Sequence, residues 1–440
     1  MYDFNHANSR LGTSSTKWDR YQSRYNLNDV VALWVADMDF NCLPEINEAI
    51  IKRAQHGIYG YTDPTEDCLN AIISWEKRHH NIEIKKEDIV LTTGVVYAMY
   101  TAVEQLVQPD EKVMVMTPVY PPFFKTPADV NREVVYCPLI LEPEVRIDLD
   151  KMEEMLKNDP KIKMLIFCNP HNPVGKSWTK EELREMLEVA HKYNIVVMSD
   201  EIHADLVFKP LEHVSMLGVD SKFNDQIVLL GAPTKTFNLA GMKISYALIP
   251  NQEICTEFAR RAKATGLSSI NIFGFEVLAA AYNHGDVWLE ECLDYVYENM
   301  VWLKDFLSEH LPKCRFEIPE STYLAWVDFS GYNVPDNFAE VLKFEGGVEL
   351  QDGRGFKDSD GYQRINCACP RSILEKGMER VVACMKKKNW LYKIDRHSLR
   401  MSVFVVYFSS LKMYFYGICN YFILSDCQNV YYDDTRLYPV

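Results

Sequence analysis

Four stretches in the middle of the chain are apolar at almost every position. They run over Lys112–Tyr120, Lys163–Asn169, Ile195–Asp200 and Gln226–Gly231. Strands that are buried on both faces have such continuous apolar runs, whereas a strand with one wet face alternates apolar and polar residues. The pattern therefore predicts an α/β fold with a mostly parallel central sheet covered by helices.

The segments around these strands carry helical periodicity and recognisable helix ends. Thr179 and Glu182 form a Ser/Thr-x-x-Glu capping box, which predicts a helix start at this point. Pro44 suits the first position of another helix, which should end near Gly57. Residues 89–107 read as a short strand, a turn of small residues and an amphipathic helix.

Beyond residue 285 the pattern changes to a long helix followed by an α+β alternation. The strand-like pieces are Thr322–Asp328 and Tyr362–Ala368, and the helical pieces are Asp336–Phe344 and Arg371–Lys386. We therefore predict an N-terminal arm and small-domain segment over residues 1–45, a large domain over 46–285, a small α+β domain over 286–390 and a tail over 391–440.

The tail differs from the rest of the chain in its density of tyrosine and phenylalanine. Residues 402–424 carry one charge, Lys412, and are nominally long enough for a membrane span of about 20 residues. A membrane anchor after a finished fold is less favoured than an aromatic extension that is poorly ordered or a gene-end artefact.

Composition mainly excludes classes of function. A chain of 440 residues with 48% hydrophobic residues can bury a sizeable core, and a net charge of -15 argues against a nucleic-acid partner. Its twelve cysteines have no paired spacing, and Cys367 and Cys369 lack a metal-site pattern, so we expect free thiols and no metal. The N-terminus has no signal-peptide pattern, which predicts a cytoplasmic protein.

Polar side chains follow the C-terminal ends of the predicted strands. They are Tyr120, Asn172, Asp200 and Lys235. In open α/β sheets ligands bind in the crevice outside these strand ends, so we expect the four side chains to converge on one cleft. Loss of hydration at the end of a buried strand would lower the pKa of a lysine and suit Lys235 to a role as an amine nucleophile. Taken alone the signal is weak, because most lysines that follow a strand are ordinary surface residues.

Two further features each have two interpretations. The turn at Gly94 either presents the amides of Val95 and Val96 to a phosphate at a helix N-terminus or simply connects strand to helix. Arg364 lies on a predicted strand before Ile365, where an arginine either pairs with a buried acid or binds a ligand.

Several motifs occur in an order and at a spacing that resemble those of a known enzyme family. Asn169–Gly175, Ser199–His203 and Thr234–Gly241 together resemble the fold-type I pyridoxal-phosphate (PLP) enzymes of the aminotransferase class I/II superfamily. Within that superfamily, Trp34–Asp39, Tyr59–Tyr61, Thr93–Val96 and Arg364–Arg371 resemble the cystathionine β-lyases of MalY/PatB type. The resemblance covers residues 1–390, and the tail after Trp390 has no counterpart.

The resemblance implies a role for each residue of the cleft. Lys235 would hold PLP as a Schiff base and shuttle the substrate Cα proton. Asp200 would pair with the pyridinium nitrogen and keep the ring an effective electron sink. Asn172 would hydrogen-bond the phenolic oxygen, with His203 nearby, and Tyr120 would stack on the ring.

The resemblance also implies the remaining contacts. The cofactor phosphate would rest on the Gly94 turn, with Thr234 and Lys243 beside it. Arg364 would bind the substrate carboxylate through two parallel hydrogen bonds, and Ala36 would lie beside the substrate.

Tyr61 would reach the cofactor of the neighbouring subunit, which implies a homodimer. The activity implied is carbon–sulfur β-elimination, in which cystathionine or a related cysteine thioether yields a thiol, pyruvate and ammonia. An aminotransferase is the first alternative, and a PLP-binding regulatory module without catalysis is the second. The joint presence of Lys235, Asp200 and Arg364 argues against the module, because binding alone needs no proton shuttle.

Overall fold

The computed structural model describes residues 2–6, 8–267 and 269–391. The predictions for the tail, including the possible span at residues 402–424, lie outside these residues. None of the helices in the described ranges combines the length and the apolar character that crossing a membrane requires.

Twelve strands form within the described ranges. They are β1 Val31–Ala32, β2 Ile89–Thr92, β3 Lys112–Val115, β4 Glu133–Tyr136, β5 Ile162–Cys168, β6 Val196–Asp200, β7 Ile227–Gly231, β8 Ser245–Leu248, β9 Leu324–Asp328, β10 Val348–Glu349, β11 Gln351–Asp352 and β12 Tyr362–Asn366. The predicted strand that reached Tyr120 ends at Val115, since Pro118 has no N–H to donate to a neighbouring strand.

Seven of these strands form the central sheet, in the order β2-β8-β7-β6-β5-β3-β4. All its pairings are parallel except those of β8, which runs antiparallel to both β2 and β7. The prediction of a mostly parallel sheet is confirmed. The apolar runs did not indicate β8, which is only four residues long and starts with Ser245.

Thirteen α-helices form within the described ranges. They are α1 Arg20–Tyr25, α2 Pro44–Gln55, α3 Glu66–His80, α4 Val95–Leu106, α5 Pro122–Asp129, α6 Leu149–Asn158, α7 Lys180–Lys192, α8 Pro233–Thr236, α9 Gln252–Ala264, α10 Ile272–His284, α11 Asp286–His310, α12 Phe338–Phe344 and α13 Arg371–Lys387. Some of them, such as α7 on one side and α4 and α9 on the other, cover the two faces of this sheet. The predicted capping box is formed, because Thr179 Oγ1 accepts from the Glu182 amide and Glu182 Oε2 accepts from the Thr179 amide.

Alternate residues of the central strands pack into two different hydrophobic cores. On β5, Leu165 joins one core, which also contains residues of α7, whereas Ile166 joins the other with residues of α4 and α9. Burial on both faces is the physical reason for the unbroken apolar runs in the sequence.

A second, three-stranded sheet has the order β11-β12-β9 and is antiparallel throughout. Near it, β1 pairs in parallel with β10, and the backbone amide of Asn366 at the end of β12 donates to the carbonyl of Leu33. These contacts bring the segment Trp34–Asp39 against the C-terminal part of the chain.

Candidate active site

Three neighbouring strands of the central sheet lead to the side chains singled out in the sequence. Asp200 is the last residue of β6, and Asn172 follows the end of β5 by four positions. After β7 the chain enters α8, a turn of four residues that carries Lys235. Because these strands are parallel neighbours, their C-terminal ends lie at one edge of the sheet and bring the three side chains together.

Lys235 points its amine at the backbone of a distant segment. Its Nζ donates to the carbonyl oxygen of Ala36 at 2.5 Å. Burial lowers the pKa of Lys235 to about 8, and the positive charge of Arg364 acts in the same direction. The carboxylates of Asp37 and Asp200 oppose this shift. The amine therefore has a substantial unprotonated fraction near neutral pH, as a nucleophile or base requires.

Asp200 is a buried carboxyl with little hydrogen bonding. Burial raises its pKa to about 7, against the stabilising effects of the Ile202 amide and of Lys235. The amide of Ile202 donates to its Oδ1 at 3.1 Å, and Asp200 forms no ion pair closer than 4 Å in the described ranges. A protonated ring nitrogen would supply the missing partner, so this residue fits the cofactor that the resemblance implies.

Arg364 is also buried, with its donors directed at neutral groups. Nη1 donates to Asn172 Oδ1 and Nη2 donates to the carbonyl of Trp34, each at 3.1 Å, while Nε is buried without a partner. Its guanidinium carbon lies 4.9 Å from the ring centre of Phe356. Across the described part of the chain Arg364 has no ion pair, so the alternative of pairing with a buried acid finds no support.

Burial lowers the pKa of Arg364 to about 10, and Tyr120 and Tyr323 oppose that shift. The guanidinium therefore stays charged at neutral pH, buried and without a counter-ion. A substrate carboxylate is the kind of ligand that such a group is suited to bind.

The segment around Ala36 is held by residues that the sequence did not indicate. The hydroxyl of Tyr323 donates to the same Ala36 carbonyl at 3.1 Å. Asn366 Nδ2 donates to the carbonyls of Val35 and Asp37 at 2.7 and 2.6 Å. Asn366 could have been identified from the sequence, since it lies two positions after Arg364 on one strand and so shares its face. No sequence pattern pointed to Tyr323.

The N-terminal arm fixes the same segment from the other side. Lys17 is completely buried and pairs with Asp39 at 2.7 Å, while Arg10 pairs with both Asp37 and Asp39. Arg10 thus faces the carboxylate whose charge acts on Lys235, and it limits how strongly Asp37 can raise the pKa of the amine.

The turn at Gly94 is open in the way a phosphate site requires. Gly94 has φ of 152°, which L side chains rarely adopt, and a Cβ added there would meet nothing within 4 Å. It precedes α4, whose N-terminus has no side-chain cap, so the amides at Val95 and Val96 are free to receive an anion. Thr234 is half-buried, and Lys243 is exposed with a left-handed backbone.

Of the other predicted residues, His203 and Tyr120 are largely buried, whereas Tyr61 is exposed. His203 is buried, and burial together with the charges of Lys235 and Arg364 lowers its pKa to about 3, so the ring is neutral. Tyr120 is largely buried, which raises its pKa, and it lies within electrostatic range of Arg364. Tyr61 is fully exposed, and no hydrogen bond or ring contact links it to the cleft within the described residues.

Proteins of known sequence and structure resemble this chain over almost their whole length. Cystathionine beta-lyase PatB of Bacillus subtilis is 35% identical over 87% of this chain and 100% of its own. Protein MalY of Escherichia coli is 31% identical over 88% of this chain and 99% of its own. Cystalysin from Treponema denticola, whose crystal structure contains pyridoxal 5'-phosphate, superposes with a TM-score of 0.85 and 34% identity, covering 88% of this chain and 99% of cystalysin.

The sequence profile of aminotransferase class I and II matches residues 28–381. This range holds the central sheet and most of the residues discussed above. The resemblance stated from the motifs, the fold-type I architecture and the dependence on PLP are confirmed. The chain belongs to the aminotransferase class I and II family.

Proposed function

We propose that this protein is a PLP-dependent carbon–sulfur β-lyase that cleaves L-cystathionine or a related cysteine thioether. The observation that carries the chemistry is the buried amine of Lys235, whose pKa is about 8 and which lies within electrostatic range of the Asp200 carboxyl and the Arg364 guanidinium. The choice of a lyase is supported by the likeness to the cystathionine β-lyase PatB along that protein's entire length.

Five features of the cleft would hold the cofactor. Lys235 would bind it covalently, Asp200 would keep a proton on the ring nitrogen, and the Gly94 turn would receive the phosphate at the start of α4. Asn172 would donate through its amide to the ring oxygen while its Oδ1 accepts from Arg364, and Tyr120 would cover one face of the ring. When bound, PLP supplies an electron sink that stabilises negative charge at the substrate Cα.

The protein's own groups then orient the substrate and move one proton. Arg364 binds the substrate carboxylate and so fixes which bond of Cα faces the amine. Once the substrate amine has displaced it, Lys235 Nζ takes the Cα proton. The electron pair left at Cα forms a Cα–Cβ double bond while the Cβ–S bond breaks and its electron pair leaves on sulfur. Hydrolysis of the remaining three-carbon unit gives pyruvate and ammonia.

Purified protein loaded with PLP and given L-cystathionine without any keto acid tests the proposal. We expect pyruvate and homocysteine in equal amounts. Turnover that strictly requires a keto-acid acceptor would instead establish an aminotransferase, the alternative favoured by the family to which the chain belongs. A loaded protein that turns over no substrate in a panel of cysteine thioethers would point to the non-catalytic module.

Replacing Arg364 with glutamine should lower kcat/KM for cystathionine by on the order of 10²- to 10⁴-fold, because two charge-assisted hydrogen bonds to the carboxylate are lost. Steady-state kinetics measure the change. Arg315→Gln is the matched control, since Arg315 is largely exposed and pairs with Asp328. A loss at Arg364 no larger than at Arg315 would remove Arg364 from the substrate site.

The rate at which PLP-free protein takes up PLP should rise with pH and level off above about pH 8. The unprotonated amine of Lys235 is the attacking form, and burial places its pKa at about 8. Visible absorbance after rapid mixing measures the rate. Arg364→Gln removes a nearby positive charge and should move the midpoint to higher pH. A rate that does not depend on pH would contradict this assignment.

The same proposal includes a homodimer in which Tyr61 reaches the partner's cofactor. Its support is the full exposure of Tyr61, with Ile58 and Tyr59 also exposed beside it. Sedimentation should give twice the chain mass, and Tyr61→Ala should accelerate the loss of PLP.

We also propose a cytoplasmic location, supported by ten free cysteines in the described ranges, which cell fractionation would test.

A further inference from the structure

Behind Lys235 lies a buried carboxylate that the proposed reaction does not use. Asp205 follows Asp200 by five residues, and its side chain is only 5% exposed. Its Oδ2 accepts from the hydroxyl of Thr236, the residue next to Lys235, at 2.5 Å. Asp205 is therefore one hydrogen bond away from the turn that carries the reactive amine.

The other oxygen of Asp205 is tied to a different part of the fold. Its Oδ1 accepts from Trp75 Nε1 and from His80 Nε2, each at 2.9 Å. Both donors belong to α3, which lies far from α8 in sequence. The carboxylate thus joins three elements: the loop after β6, the helix α3 and the turn α8.

Charge holds this junction together. Burial lowers the pKa of His80, but its hydrogen bond to Asp205 and the charge of Glu76 outweigh burial and raise the pKa to about 9. Burial by itself raises the pKa of Asp205. The hydrogen bond from His80 is the largest of the opposing effects, which together lower this pKa below its usual value. The two groups therefore form a buried ion pair at neutral pH, and Glu201 lies within electrostatic range of His80.

A buried ion pair is a poor source of net stability, because desolvation offsets its attraction, but it fixes geometry strongly. Here the geometry it fixes is the rotation of α8. Successive helical residues point about 100° apart, so holding Thr236 on one side of the turn sets the direction in which Lys235 leaves it. Within the described ranges the side chains of α8 make two hydrogen bonds, one from Lys235 to Ala36 and one from Thr236 to Asp205.

We propose that Asp205 is a positioning residue: through Thr236 it orients Lys235 toward Ala36 and fixes the distance between Lys235 and Asp200. The inference rests on the proposed function only in taking Lys235 as the lysine that binds PLP. It does not depend on which reaction follows.

Thr236→Val and Thr236→Ser in the PLP-loaded protein test the proposal. Valine keeps the shape and removes the hydroxyl, so PLP should be released roughly 10- to 150-fold faster, as expected for one lost hydrogen bond to a charged group. The pH midpoint of the visible absorbance of the lysine-bound cofactor should also shift, and kcat should fall more than KM changes. Serine keeps the hydroxyl and should restore all three properties.

Thr101→Val is the matched control, since Thr101 is also buried but its hydroxyl bonds only to Tyr97 within α4. Asp205→Asn should act in the same direction as Thr236→Val. The proposal is overturned if Thr236→Val releases PLP at the wild-type rate with an unchanged absorbance midpoint. It is equally overturned if serine fails to restore these properties, or if Thr101→Val changes them as much.

The same measurements separate this inference from the lyase proposal. PLP release and absorbance are read before any substrate is added. A wild-type protein that transfers amino groups instead of eliminating thiols would end the lyase proposal, while the Thr236 variants would still decide the role of Asp205.

Discussion

Pyruvate release from L-cystathionine is expected to fall by at least 10²- to 10⁴-fold in Lys235→Ala, the range that a single positioned proton-transfer group contributes. The loss should be larger still, because the same amine binds the cofactor. Alanine removes the Nζ that donates to Ala36 and that would accept the Cα proton. Coupled detection of pyruvate measures the rate, and loss of the visible absorbance of lysine-bound PLP reports the missing linkage.

Lys209→Ala is the matched control for this result, since Lys209 is a surface lysine whose side chain is 73% exposed. Its kcat should equal that of the wild type. A small primary amine added to Lys235→Ala should recover part of the proton transfer. If Lys235→Ala kept more than about a tenth of the wild-type kcat, Lys235 would not be the proton acceptor.

Asp200→Asn is expected to lower kcat and to raise the stability of the PLP-free protein. The carboxylate would no longer face the charged ring nitrogen, and leaving a buried charge without its partner costs enough to lower kcat by roughly 10²- to 10⁴-fold. The PLP-free protein should respond in the opposite direction. Burial raises the pKa of Asp200 to about 7, so the wild type loses stability as pH rises from the usual aspartate range toward 7.

The sign follows from proton binding. Between those pH values the folded protein keeps the proton on Asp200 while the unfolded chain releases it, so rising pH favours unfolding. Asparagine does not ionise, and PLP-free Asp200→Asn should therefore have a higher Tm than the wild type above pH 7 and a similar Tm near pH 4. Asp305→Asn, at an exposed site on α11, should change neither kcat nor Tm.

Calorimetry at several pH values measures the stability, and steady-state kinetics measure kcat. An Asp200→Asn protein with nearly normal kcat would mean that the ring nitrogen needs no carboxylate here. A Tm below that of the wild type at all pH values would mean that the Asp200 carboxylate is stabilised by contacts other than those described.

The central sheet and the three residues at its edge could be predicted from the sequence because their signals are local. The apolar runs that become β5, β6 and β7 show burial on both faces, and parallel topology then places Asp200 and Lys235 at one edge. The short antiparallel β8 lacks such a run and could not be read in this way.

Contacts between distant parts of the chain leave no periodic signal. The hydroxyl of Tyr323 and the amine of Lys235 meet at one carbonyl, although the chain between them forms several helices. The junction of Asp205 with Trp75 and His80 is of the same kind, since each residue taken alone is an ordinary polar or aromatic side chain. The cofactor and substrate roles of the site residues, Tyr61 and Lys243 among them, stay predictions.

The position of the Ala36 carbonyl has a consequence for the way the protein is made. Its segment is anchored by Lys17 near the start of the chain and by Asn366 on β12. While the ribosome is still synthesising the C-terminal part, the nascent chain has Lys235 and Lys17 but lacks Tyr323 and Asn366, which also hold this segment in place. The native arrangement around Lys235 therefore forms only after translation has passed Asn366.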